Sequence, residues 1–493
     1  MRDRVRFPKA WRYWPVLVAP AVPLVVYLLT LASTITWAHD GADGGDLITA
    51  AYTLGVPHPP GYPTYCLLGW LFTHLPLRNV AWRLNLMSAV GAALAALGLC
   101  AAVLEWRRGR QEVDNDAVIA GLGAAWGLAF VPVFWSQALI AEVYAVNAAF
   151  VALVLWLTIR VRRRGSPHAA LGLAWGLSLG THLTGVALLP LVVWGLAVGQ
   201  RKRTLGPVPL SWLLGTLLGL CTYIYLPLRA DRGPVTWGNP ATLDGWWWAV
   251  SGALYRGYVF ALPLEAVPNR LFALARYWTQ GFGPTGLALG LVGVGALVRR
   301  QRGLLLASGL SSLAYVAYAI GYDTTDSYVY LIPALVIFAF WLGIGLMESL
   351  NWLGLRLSAR RSLVAGFCLV CVGPLLALVL NYGAMDVHGD AGAYDFGTGV
   401  LAAAPERAVL LTAHDSHTFT LWYFQYVLEQ RTDVIVVDTG LLAYDWYRDS
   451  LLRAHPGLVV SGGNVVEFSQ VALSRPVCEV VEEDNHWLRC TGE

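Results

Sequence analysis

Charge is what this chain has least of. Only 13% of its 493 residues are Asp, Glu, Lys or Arg, against 57% hydrophobic, and the net charge is +3. A mean hydropathy of +0.55 excludes an ordinary soluble globular protein of this length, and so small a net charge gives nucleic-acid binding no support. No Gly-x-Gly-x-x-Gly follows a strand-like run, which removes the usual sign of a nucleotide site. No internal repeat of solenoid or inverted-transporter type is evident. Cysteines number seven. Cys66, Cys100, Cys221, Cys368 and Cys371 fall in or near apolar segments and read as small buried hydrophobes, and the C-x-x-C of Cys368 and Cys371 has no histidine partners. Cys478 and Cys490 stand in a polar region and could pair if that region is extracytoplasmic.

Long apolar runs are what the chain has most of. They lie near 14–36, 82–104, 117–135, 138–159, 168–181, 183–199, 210–228, 284–299, 303–321, 329–349 and 363–382, about eleven transmembrane helices by length. The first follows a basic N-terminus and reads as an uncleaved helix, longer than a signal-peptide core and without a small-x-small site before His39. Basic clusters hold 21 of the 34 Lys and Arg: the N-terminal arginines, Arg107 to Arg110, Arg160 to Arg164, Arg201 to Arg203, Arg299 to Arg302, and Arg356 with Arg360 and Arg361. All fall on one side of the spans, which the positive-inside rule makes cytoplasmic. The chain is thus expected to be an integral, multi-pass membrane protein with a cytoplasmic N-terminus, sited in the plasma membrane if bacterial. Its first loop (37–81), its second large loop (229–284) and everything after Tyr382 then face outside.

Domain organisation follows from this division. Residues 1–382 form a membrane domain, and 383–493 read as a soluble α/β domain. Ala408–Thr412 and Asp433–Thr439 are expected as strands of a small parallel sheet, with His417–Glu429 and Asp445–His455 as helices. Asp415 and His417 follow the first strand, where open sheets often place sites, though Asp415 is at least as suited to capping a helix.

The candidate chemistry sits mainly in the first loop. Asp40, Asp43 and Asp46 are interleaved with glycines ahead of a helix expected from Leu47. Asp46 fits either a helix N-cap or a catalytic partner, whereas Asp43 lies on the turn itself and can act as a general base if its pKa is tuned. The D-x-x-D of Asp43 and Asp46 could also hold a divalent metal, but two carboxylates alone make a weak metal motif and none is expected. Val56 to Pro63 places His58 on a proline-stiffened loop beside Tyr62. Arg83 and Arg229 stand at headgroup level, suited to a lipid phosphate or to ordinary snorkelling. His182 lies at the tip of a hairpin whose arms are too short to span, a polar group at membrane depth. Glu142 near the outer end of a span needs a partner, and Trp237 and Asn239 in W-G-N-P suit an interface or a sugar face.

Several motifs together resemble a known family. They are D-G-G-D-L-I-T-A-A-Y-T-L-G-V-P-H-P-P-G-Y-P, N-V-A-W-R-L-N-L-M-S-A, F-W-S-Q-A-L-I-A-E-V-Y-A-V-N-A, G-L-S-L-G-T-H-L-T-G, Y-L-P-L-R, W-G-N-P, D-S-Y-V-Y-L-I-P-A and D-S-H-T-F-T-L-W-Y. The chain resembles the membrane protein O-mannosyltransferases, formerly a domain of unknown function, whose animal member modifies the IPT domains of plexins and related receptors. The family commonly has D-S-G-E where this chain has Asp43-Gly44-Gly45-Asp46, which leaves the second acid less secure than Asp43.

The resemblance implies a GT-C glycosyltransferase fold, a catalytic acid in the first extracytoplasmic loop, a polyprenyl-phosphate sugar donor and no metal. It implies transfer of a sugar, mannose by family, to a protein or glycan hydroxyl with inversion. Asp43 would be the base, with Asp46 or Asp40 orienting the acceptor or sharing that role. Arg83 or Arg229 would hold the leaving lipid phosphate, and His58 and His182 the donor. The rivals are a transporter or flippase of lipid-linked sugars and a non-catalytic scaffold. The first fits poorly with spans nearly free of charge, and the second leaves the clustered acids unexplained.

Overall fold

The computed structural model describes residues 14–108, 115–197, 207–230, 232–356, 359–456, 458, 475–483 and 486–490. The basic N-terminus, Arg110 and Arg201 to Arg203 lie outside the described residues. Among the described residues each expected apolar run is largely helical, and the fold is mostly helix with one small sheet. Among the described residues six helices are long and apolar enough to cross a membrane: Val80–Arg107, Val143–Arg164, Leu210–Arg229, Leu264–Arg300, Arg302–Gly321 and Ser327–Gly354. Others, such as His168–Leu179, are apolar but shorter.

Close backbone approach explains the glycine-rich helix faces. A Cβ on Gly293 would lie 1.8 Å from the Trp341 carbonyl oxygen, and one on Gly345 equally close to that of Leu289. Helices Val267–Arg300 and Ile332–Arg356 therefore pack backbone to backbone. The run expected to start near 284 is the second half of a 34-residue helix, broken at Gly283 (φ 59°) immediately before Pro284.

After the last long helix the chain forms helix Gly392–Ala403 and a four-stranded sheet, β1 Val409–Thr412, β2 Ile435–Asp438, β3 Val477–Glu483 and β4 His486–Cys490, in the order β2-β1-β3-β4. The first two strands are parallel, as expected, with helix Asp415–Tyr426 as their crossover. Sequence reading missed helix Gly392–Ala403, β3 and β4. The antiparallel β3–β4 pair sets Cys478 opposite Cys490, and the two form a disulfide. Replacing both by serine is expected to cost the sheet about 2–4 kcal/mol. Faster hydrogen exchange confined to residues 475–490 would report it.

This C-terminal part does not stand apart. Leu47, Ile48 and Tyr65 of the first loop share one buried core with Trp237 of the second loop and with Phe419, Trp422 and Val437. Gly45 permits the contact, since a Cβ there would lie 2.3 Å from the Phe419 carbonyl oxygen. Trp37 adds a hydrogen bond from its Nε1 to Thr420 Oγ1 at 3.0 Å.

Candidate active site

The first loop folds as a short turn followed by helix Gly44–Thr53. Asp43 occupies the N-cap position without making a side-chain cap, so its carboxylate is left for other partners. Asp46, one turn in, is fully buried. One oxygen accepts from the backbone N–H of His58 at 2.9 Å and lies 2.7 Å from its Nδ1. The other accepts from Trp237 Nε1 at 3.3 Å. Asp46 is therefore neither a helix cap nor an open acid. It fixes His58, and the D-x-x-D pair does not offer two free carboxylates to a cation.

His58 is 3% exposed and turns its other nitrogen, Nε2, to Asp43 at 3.5 Å. Asp43 is the open member, with 40% of its side chain exposed. Burial disfavours a charged imidazole, but Asp43 and Asp46 outweigh it and push the His58 pKa up to about 9. Burial is also the main influence on Asp43, raising its carboxyl; His58 opposes the rise and Asp46 and Asp326 add to it. The result is an imidazolium clamped between a buried carboxylate and an accessible one.

Three distant segments close around this pair. The second loop is stitched to the first by hydrogen bonds from Val56 N to Val235 O and from Trp237 N to Val56 O, which seats Trp237 over Asp46. Phe419 of the C-terminal part stacks 6.4 Å from His58, and Tyr255 meets its edge at 6.1 Å. Asp415, in the first turn of the same C-terminal helix, stands near enough for the charges of Asp43 and His58 to act on it. Its carboxyl is pushed up to about 6 by burial first, then by Asp438 and Asp43. Asp415 caps nothing; His414 is the N-cap residue. Its position after a parallel strand was the available signal, and its partners were not readable.

The remaining candidates divide. Tyr62, in the left-handed region at φ 35°, packs 5.1 Å from His58 and 6.2 Å from His182. His182 thus joins the site's aromatic wall, with Tyr144 and Tyr330 within 6 Å. Glu142 is buried just ahead of helix Val143–Arg164, close enough to Asp43 to feel its charge. Asp40 accepts from the Tyr328 hydroxyl. Asn239 shapes a turn at φ 46°, its carbonyl accepting from Thr242.

The two arginines are occupied structurally. Arg83 donates to the carbonyls of Leu77, Thr73 and Arg78, clasping the turn before its helix. Arg229 donates to those of Leu54 at 2.7 Å and Thr53 at 3.0 Å, ending helix Gly44–Thr53. A cation the sequence reading passed over, Arg270, lines a cavity of about 330 Å³ with Asn269, Tyr277, Ser327 and Tyr328. It reaches Thr324 O and Ser327 Oγ through one nitrogen, on the loop that bears Asp326. Its other two nitrogens have no partner among the described residues.

Comparison with known proteins finds similarity over the segments that build this arrangement. Residues 43–205 match the protein O-mannosyl-transferase TMEM260 N-terminal domain, and residues 393–456 match the TMEM260-associated domain 2. The chain is 25% identical over 482 residues to the protein O-mannosyl-transferase tmem260 of Dictyostelium discoideum, covering 86% of this chain and 57% of that one. It is 27% identical over 483 residues to protein O-mannosyl-transferase TMEM260 of Mus musculus, covering 89% and 64%. The chain therefore spans less than two thirds of the length of these relatives. Among solved structures, ArnT from Cupriavidus metallidurans bound to undecaprenyl phosphate superposes with a TM-score of 0.59 at 14% identity over 97% of this chain and 98% of that one. The Archaeoglobus fulgidus oligosaccharyltransferase tethered to an acceptor peptide gives 0.51 at 11% identity, over 87% and 64%. The two matched segments are those that meet at His58, and over them the chain is similar to the TMEM260 protein O-mannosyl-transferases, on a fold it shares with ArnT.

Proposed function

We propose that the chain is an inverting GT-C glycosyltransferase moving a sugar, mannose by the name of its relatives, from a polyprenyl phosphate to a protein Ser or Thr hydroxyl. One observation carries the reading: an accessible carboxylate, Asp43, is held against a buried Asp46–His58 pair where two loops and the C-terminal part converge. Asp43 takes the proton of the acceptor hydroxyl. The oxygen bonds to the anomeric carbon, and the carbon–oxygen bond to phosphate breaks, releasing the lipid phosphate. The undecaprenyl phosphate of ArnT and the acceptor peptide of the archaeal enzyme support the lipid-linked donor and the protein acceptor. The scheme uses no metal.

Sidedness follows from the basic clusters: about eleven spans, a cytoplasmic N-terminus, and the site and residues 383–493 outside. The Cys478–Cys490 bridge suits that oxidising side. The donor phosphate is assigned to Arg270, because Arg83 spends all three of its nitrogens and Arg229 two of its three on backbone carbonyls, whereas Arg270 keeps two. Losing a charge-assisted contact costs enough that Arg270→Ala is expected to raise the donor KM roughly 10- to 150-fold. An unchanged KM would return the phosphate to another cation.

The deciding experiment incubates the purified full chain with labelled polyprenyl-phosphate mannose and an IPT domain. Labelled protein with release of lipid phosphate is the expected result. Movement of intact donor across a bilayer without cleavage would make the chain a flippase and overturn the proposal.

A further inference from the structure

A second cavity lies away from the acids. It is a groove of about 650 Å³ between helices Val80–Arg108 and Val143–Arg164, walled by Leu94, Gly98, Phe150 and Leu153. It runs from Met87 to Glu105, about 27 Å at 1.5 Å per residue, and Leu94 is 49% exposed along its open flank. Its walls are apolar for most of that length, which suits hydrocarbon.

The two ends differ. Toward the first loop, Leu68 and Phe72 of helix Pro63–Thr73 close it, and the arginine beyond, Arg83, is committed to backbone carbonyls. At the far end Glu105 and Trp156 form the mouth. There Arg164 pairs with the buried Glu105 at 2.8 Å, while Arg160 lies over the Trp156 ring at 5.5 Å and only 3.7 Å from the same carboxylate. Two guanidinium groups for one carboxylate leave a surplus positive charge, partly exposed, at the mouth of an apolar groove.

We propose that this groove is a phospholipid site. It takes the acyl chains of an anionic glycerophospholipid from the leaflet at the basic face, with the phosphate beside Arg160 and Arg164. The charged mouth argues against the donor's polyprenyl tail, whose phosphate must reach the opposite end near Asp43.

The test titrates the purified full chain with phosphatidylglycerol or phosphatidylcholine of identical chains, counting retained lipid by native mass spectrometry. One retained phosphatidylglycerol is expected, preferred roughly fivefold over phosphatidylcholine, the worth of one basic residue near an anionic headgroup. Arg160→Gln, which keeps the Arg164–Glu105 pair, should abolish the preference. Ala101→Phe should fill the groove and release both lipids. Equal retention of the two lipids by the unaltered chain overturns the proposal, as does one-for-one displacement by undecaprenyl phosphate, which would assign the groove to the donor.

Discussion

Asp43→Asn is expected to lower sugar transfer by about 10²–10⁴-fold, the usual worth of a positioned general base, while the chain still folds. The amide keeps the size of the carboxylate but cannot accept the acceptor's proton. Folding should survive because Asp43 is the partly open member of the site and makes no helix cap. The measurement is kcat for transfer from labelled polyprenyl-phosphate mannose, beside the thermal midpoint of the same preparation. Full activity in this variant would remove Asp43 from the mechanism. Asp46→Asn separates the two acids: both oxygens of Asp46 face His58 and Trp237, so this change should act through His58.

His58→Ala is expected to damage both stability and activity. It strips the fully buried Asp46 of its ionic partner, a loss that typically costs about 3–5 kcal/mol. It also removes the charge that opposes the rise in the Asp43 pKa. The acid limb of the kcat profile should therefore move to higher pH, a shift that simple loosening of the fold would not produce. The unaltered protein should show its own pH signature. Because the folded His58 titrates near 9 against an ordinary 6.5, its contribution to stability is complete below about pH 6.5 and lost as pH rises through 9. Activity should likewise fall in acid as Asp43 protonates and in alkali as His58 loses its charge. A chemical-unfolding series between pH 6 and 10 checks the first statement. A kcat profile with no fall between pH 8 and 10 would exclude a role for the imidazolium.

How much of this was legible depended on distance along the chain. Apolar length located the long helices, because hydrocarbon thickness imposes one local rule on each of them. The first-loop acids and His58 could be found because proline, glycine and aspartate break an apolar pattern at one place. Rank among the acids could not. Asp46 reads like an N-cap from its neighbours, and only the return of the chain at His58 and Trp237 shows that its oxygens are taken. Arg83 and Arg229 look like phosphate ligands by their height in the membrane, yet backbone carbonyls five to ten residues away, or across a loop contact, claim them. Asp415 was visible as a residue but not as a neighbour of Asp43. Strands β3 and β4 are charged, with no apolar run or alternation strong enough to announce them.

The contact between Gly45 and Phe419 also fixes when the site can exist. Trp37 and Thr420 are 383 residues apart in the chain, and that stretch takes roughly 20–80 s to synthesise at about 5–20 residues per second. Through that interval the early helices can insert while Asp43 and His58 still lack the wall that Phe419 provides. Under the proposed mechanism a nascent chain stays inert until Phe419 has been made and has docked against Gly45.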